Sequence, residues 1–157
     1  MRIGSGFDVH AYGSGNHIML GNIKIPFEFG FIAHSDGDVL IHALCDALLG
    51  ACALGDIGEH FPPSEPQWKN CDSVVFLKHC HQLIKQQGYQ IGNIDCTIMA
   101  ELPKIKPHVK DIQNRLAVIL DIQNNQISIK ATTTEKLGFT GRKEGMAAQA
   151  TCLLLKA

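Results

Sequence analysis

Asp8 and His10 stand two positions apart in GFDVHAY, residues 6–12, close to the first residue of the chain. On a β-strand, side chains at i and i+2 leave the same face, so the carboxylate and the imidazole aim lone pairs at one point. A catalytic zinc takes three protein ligands and keeps a fourth position open. These two residues supply two of the three. The most suggestive third donor is His42 in DVLIHALCDALLG, an imidazole among apolar neighbours, with His34 and His60 as rivals among the eight histidines. Asp38, His42 and Asp46 recur at i, i+4 and i+8, so a carboxylate on the same helix face is expected to orient the imidazole. A two-residue motif carries little information alone, and a chance acid beside an ordinary core histidine accounts for the same spacing.

A second set of chemical groups lies in KATTTEKLGFTGR, residues 130–142. Hydroxyls, backbone amides and basic side chains hold phosphate oxygens, and a nearby carboxylate such as Glu135 holds Mg²⁺ bridging them. The pattern is not a Walker A loop, and a threonine-rich strand entering a glycine turn has the same composition. AELPKIKPH, residues 100–108, adds Lys104 and a proline-fixed backbone whose amides can meet the edge of a base, or else a connecting loop with solvated lysines.

These residues need elements to carry them. Residues 2–10 and 17–26 read as strands, the second folded at Gly21 and Asn22 in a type II′ turn. Ser35 followed by Asp38 resembles a capping box, and Val39, Ala43, Ala47 and Ala51 repeat at helical spacing, which predicts a helix over about 36–52. A glycine- and proline-rich loop with lid character follows to about residue 71. A helix over 73–87 starts on Asp72 as N-cap, buries Phe76, Cys80, Leu83 and Ile84, and closes at Gly88. Ile94, Cys96, Ile98 and Ala100 alternate on a strand; Val109, Ile112, Leu116 and Ile119 mark a third helix; strands near 126–132 and 145–155 complete the set. This order predicts an α+β fold with helices packed on one sheet face.

The chain has 157 residues, 45% of them apolar, enough for one domain with a real core. Its formal net charge of −1 argues against a nucleic-acid or membrane-surface partner. The six cysteines sit in apolar periodic segments without a CxxC pair and read as reduced core thiols. The absence of a leader pattern or a long apolar span predicts a cytoplasmic protein.

Taken together, GFDVH, AHSDGDVLIHALCDALLGACALGDIGEHFP, GNID and KATTTEKLGFTGR, in this order and spacing, closely resemble the 2-C-methyl-D-erythritol 2,4-cyclodiphosphate synthase family of the non-mevalonate isoprenoid pathway. The resemblance runs from Met1 to about residue 155. It implies a single domain over 1–157, a homotrimer with active sites at subunit interfaces, and a phosphorus-oxygen lyase. The reaction it implies converts 4-diphosphocytidyl-2-C-methyl-D-erythritol 2-phosphate into the cyclic diphosphate and CMP. On the matching positions, Asp8, His10 and His42 hold zinc or a similar divalent ion, Glu135 ligates Mg²⁺ or Mn²⁺ on the diphosphate, and His34 and Thr133 stabilise the transition state. Asp8, Val9, His10 and His34 face the substrate, and Ser35, Asp56, Ile57 and Gly58 match its sugar and methylerythritol phosphate contacts with the loop Phe61, Pro62, Pro63, Ser64 and Glu65. Ala100, Glu101, Leu102, Pro103, Lys104, Ile105 and Lys106 match the nucleotide site together with Thr132, Thr133, Thr134 and Glu135; Phe139 and Arg142 match further contacts. Against these stand plainer roles: Gly58 turning the chain, Phe139 packing, Arg142 pairing with Glu144. Glu65 stands where relatives often have Asp, and Ser5 where some have His. The rival functions are a metal-dependent nucleotide phosphohydrolase and a trimeric nucleotide-binding module without catalysis.

Overall fold

In the computed structural model, which describes residues 1–157, the first strand, β1 (Arg2–Gly13), pairs antiparallel with the last of the chain. Between them run the ribbon β2 (His17–Leu20) and β3 (Ile23–Pro26), the short β4 (Gly30–Phe31) and the helices α1 (Val39–Ala51), α2 (Ile57–His60) and α3 (Val74–Gln86). β5 (Tyr89–Met99), α4 (Val109–Leu120), β6 (Ile127–Thr132), α5 (Gly138–Gly141) and β7 (Gly145–Lys156) follow. One mixed sheet has the order β4-β1-β7-β5-β6, with β5 and β6 parallel and the other pairs antiparallel. The fold is therefore α+β.

The alternation read in the sequence places the core. Ile94, Cys96 and Ile98 of β5 and Met146, Ala148, Ala150, Cys152 and Leu154 of β7 are buried beneath the helices. The opposite face of the sheet carries Ile3 and Phe7, 71% and 58% exposed. α1 lies directly on β1 because both surfaces are stripped of side chains. A Cβ on Gly4 would stand 1.8 Å from the Ala47 carbonyl oxygen, and one on Gly6 1.9 Å from that of Ala43. Only glycine fits at such a distance.

Several local expectations are corrected. Gly21 and Asn22 both have positive φ, 58° and 61°, so the ribbon turns through type I′; asparagine tolerates the left-handed region that type II′ does not ask of it. α1 starts at Val39, because Asp38 is the cap: its carboxylate accepts the amides of Ile41, Gly21 and Asn22 at 3.1, 2.9 and 2.7 Å. One acid thereby ties the helix to the ribbon. The boundary residue of α3 is Ser73, although the Asp72 carboxylate accepts the Val74 amide at 2.9 Å. β4, α2 and α5, of two to four residues, are too short to show a period. Four cysteines are core thiols, while Cys52 and Cys71 are half-buried.

Candidate metal centre and adjoining clefts

β1 presents Asp8 and His10 on the face that α1 covers, and α1 presents His42 against them. His10 Nε2 lies 3.0 Å from His42 Nδ1, and Asp8 Oδ2 lies 3.1 Å from each nitrogen. The glycine contacts at β1 bring helix and strand this close. Burial alone would raise the Asp8 carboxyl, but hydrogen bonds and charge from His10 and His42 outweigh it and hold it well below the ordinary carboxylate range.

Three lone-pair donors within one triangle suit a cation. Metal–ligand bonds of about 2.0–2.1 Å in a tetrahedron separate the ligands by about 3.3 Å, close to the spacing found, so the donor set fits zinc. His60, a rival ligand, instead donates from Nε2 to the Leu54 carbonyl at 2.8 Å. The other rival, His34, is exposed at the cleft above the triangle.

The orienting groups are not those the helix spacing suggested. Asp38 is engaged as the cap, and Asp46 accepts the Ile57 amide at 2.8 Å, pinning α2. His42 Nε2 instead meets Ser73 Oγ at 2.8 Å and Ser35 Oγ at 3.2 Å, and Ser73 Oγ in turn meets Asp36. Ser73 and Asp36 lie 37 positions apart, and no periodicity links them.

The triangle opens into a cleft of about 230 Å³ where His34 and Ser35 face the walls Ile57, Gly58, Phe61, Pro63, Trp68 and Phe76. The expected lid is anchored: Phe61 packs on Phe76 and Trp68 with ring centroids 4.4 and 5.0 Å away. Glu65 accepts the Trp68 indole N–H at 3.0 Å, and Asp56 caps α2 by accepting the Glu59 amide. Pro62 and Ser64 belong to the same loop without lining the cleft. The Val9 side chain is exposed on the face of β1 opposite Asp8 and His10 and does not line the cleft.

A second cleft, about 140 Å³, gathers Ala100, Glu101, Pro103, Lys104, Ile105 and Lys106 with Thr132 and Thr133. The Leu102 carbonyl accepts the Tyr12 hydroxyl at 2.6 Å. Glu135 and Lys136 both have left-handed backbones, and the Glu101 carboxylate accepts the Lys136 amide at 3.0 Å, holding this loop against the cleft. Gly141 permits the fold-back, since a Cβ there would meet the Lys136 carbonyl carbon at 2.2 Å. Thr134 is turned inward, donating to the Leu137 carbonyl. Phe139 is 36% exposed, and Arg142 pairs with Glu144 at 2.6 Å. Asp8 stands opposite Ala148, Ala148 opposite Ile98 and Ile98 opposite Ala131. Asp8, beneath the first cleft, and Ala131, lining the second, are thus three strand spacings apart, about 14 Å.

Sequence reasoning missed Gly4, Gly6, Asp36 and Ser73. Their parts depend on which elements meet, a relation no local pattern carries.

The YgbB family model matches residues 1–155. The chain is 56% identical over 153 residues to the 2-C-methyl-D-erythritol 2,4-cyclodiphosphate synthase of Xanthomonas axonopodis pv. citri, covering 98% of this chain and 92% of that protein. It is 55% identical to the synthase of the same name from Ectopseudomonas mendocina over the full length of both. Among solved structures, the bifunctional IspDF from Campylobacter jejuni superposes with a TM-score of 0.96 at 44% identity, over 99% of this chain and 42% of that longer one. The CDP complex of Plasmodium falciparum IspF superposes with a TM-score of 0.87 at 36% identity, over 99% and 96%.

Proposed function

The chain belongs to the YgbB family, and on that premise we propose that it cyclises 4-diphosphocytidyl-2-C-methyl-D-erythritol 2-phosphate to 2-C-methyl-D-erythritol 2,4-cyclodiphosphate with release of CMP. The observation that carries this reading is the donor triangle of Asp8, His10 and His42 at the floor of a cleft, in a chain that parallels synthases end to end.

The 2-phosphate attacks the β-phosphorus of its own molecule, and the bond to the α-phosphate oxygen breaks as CMP leaves. A phosphate monoester with a second pKa near 6 is mostly dianionic at pH 7, so no strong base is needed. Catalysis rests on folding the substrate back on itself and neutralising charge. Favourable intramolecular geometry contributes roughly 7–11 kcal/mol to such reactions. Zn²⁺ at Asp8, His10 and His42, and Mg²⁺ or Mn²⁺ at Glu135, supply Lewis-acid neutralisation of the diphosphate when bound. His34 and Ser35 present donors at the mouth of the first cleft, where phosphate oxygens gather charge. Ile57, Phe61, Trp68 and Phe76 cradle the carbon skeleton and exclude water that would divert the reaction to hydrolysis. Thr132, Thr133 and the loop Ala100 to Lys106 hold the nucleotide, with backbone groups reading the cytosine edge, and Thr133 donates to the diphosphate.

We assign residues 1–157 to one synthase domain working as a homotrimer with sites between neighbours. Two features support this: two separate clefts on one sheet, with Asp8 and Ala131 about 14 Å apart across its strands, and apolar side chains on its uncovered face. Free thiols in the core suit a reducing compartment, and we assign the chain to the cytoplasm. No helix is long and apolar enough to cross a membrane.

Purified protein incubated with the substrate, Zn²⁺ and Mg²⁺ should yield CMP and cyclic diphosphate in equal amounts without inorganic phosphate. Inorganic phosphate or a linear product would replace this reading with a phosphohydrolase. CDP binding without turnover would leave a binding module.

A further inference from the structure

His42 commits only one ring nitrogen to Asp8 and His10. The other, Nε2, faces Ser73 Oγ, and Ser73 is fully buried at the head of α3. A serine at this position ordinarily gives its hydroxyl oxygen to an amide of the first turn. Ser73 makes no such bond, and Asp72 serves the Val74 amide in its place. The hydroxyl is turned to His42 on one side and to Asp36 on the other.

The direction of each hydrogen bond follows by elimination. Asp36 Oδ2 accepts the Ser73 amide at 3.1 Å, and Oδ1 accepts the Asp38 amide at 3.1 Å while also meeting Ser73 Oγ. A carboxylate has no hydrogen to give, so Ser73 donates its own to Asp36. Its oxygen then offers His42 only a lone pair, and Nε2 must carry the imidazole proton. The neutral ring so protonated has its lone pair on Nδ1, the atom within 3.0 Å of His10 Nε2 and 3.1 Å of Asp8 Oδ2. Ser35 obeys the same constraint. Its oxygen accepts the Gly37 amide at 3.2 Å and faces the Nε2 proton, so its hydroxyl hydrogen is left for the cleft it lines.

We propose that Asp36 and Ser73 form a directional hydrogen-bond relay that locks His42 in the metal-binding tautomer and aims the Ser35 hydroxyl hydrogen at a bound phosphate oxygen. Both are positioning residues. The relay rests on the reading of Asp8, His10 and His42 as a metal centre. Without it, Nδ1 is free to keep the proton and donate it to Asp8, which closes the triangle to a cation.

The test compares wild type, Ser73→Ala and Asp36→Ala, with His42→Ala as the control for a lost ligand. Each is titrated with Zn²⁺ against a chromophoric chelator, and the His42 tautomer of the metal-free protein is read by long-range ¹H–¹⁵N correlation. Asp36→Ala is the sharper variant, because it removes the acceptor of the Ser73 hydroxyl hydrogen, which is then free to turn to His42 Nε2. Both variants should bind Zn²⁺ about 10–100-fold more weakly, the loss typical of an outer hydrogen-bond partner. Their His42 signal should move from Nε2–H to Nδ1–H. Unchanged affinity and tautomer in Ser73→Ala and Asp36→Ala overturn the relay, while loss of binding in His42→Ala alone leaves the metal centre standing. A wild type that binds no Zn²⁺ overturns both. If Asp36→Ala does not fold, Ser73→Ala decides.

Discussion

At the scale of single residues, the chain puts polar atoms together where a ligand completes them and isolates those that would react. Asp8, His10 and His42 converge on one point, whereas four thiols are packed away from water. Burial pushes Cys96 up from its ordinary value of 9.0 to about 12. Between those values the unfolded thiol has lost its proton and the folded one retains it, so the native state binds more protons. The stability this confers is intact below pH 9 and declines as pH rises toward 12, by up to about 1.4 kcal/mol per pH unit. Denaturant unfolding from pH 7 to 11 should therefore fall more steeply for wild type than for Cys96→Ala, with a constant gap below pH 9. Parallel curves would remove burial as the cause. At this scale the sequence was readable where chemistry sits in short motifs: Asp8 and His10 on one strand face, and the alternation through Ile94, Cys96 and Ile98. It was silent on Asp36 and Ser73, whose roles arise only after α1 and α3 have packed.

At the scale of elements, the candidate metal centre is a property of the β1–α1 contact. The repeat of Ala43, Ala47 and Ala51 announced a narrow helix face; what the sequence could not convey is that Gly4 and Gly6 lie under it, because a glycine in a strand reads equally as a bulge or a weak point. The contact makes a prediction whose sign is decided by geometry. In an open strand Gly6→Ala would stabilise by roughly 0.5–1 kcal/mol. Here the new Cβ would stand 1.9 Å from the Ala43 carbonyl oxygen, which belongs to a helix held at its start by three bonds to Asp38 and cannot give way locally. Overpacking of this kind costs about 1–3 kcal/mol or more, and it lifts His42 from Asp8 and His10. Gly6→Ala should lower the unfolding free energy by that amount and weaken Zn²⁺ binding with it. A variant that loses stability but binds Zn²⁺ as wild type does would separate the packing from the site.

At the scale of the whole molecule, one face of the sheet is finished and the other is not. Ile3, Phe7, Val9 and Leu155 are 71, 58, 37 and 40% exposed on the side away from the helices, beside the polar rows of Gln149 and Thr151 on β7. Apolar groups clustered in this way on a sheet face mark an interaction surface. The homotrimer proposed above gives them a partner, and the separation of the two clefts on one chain gives that partner a task. Phe7→Glu places a charge in the middle of the face without touching Asp8 and His10, which leave β1 on the other side. Desolvating an unpaired carboxylate is strongly unfavourable, so association should fail. The variant is expected to elute as a folded monomer by light scattering, to retain Zn²⁺ binding because that site lies within one chain, and to release CMP at least about 100-fold more slowly, a loss of about 2.7 kcal/mol. A monomer with full activity would show that one chain holds the whole substrate, and an undisturbed trimer would move the interface to another face.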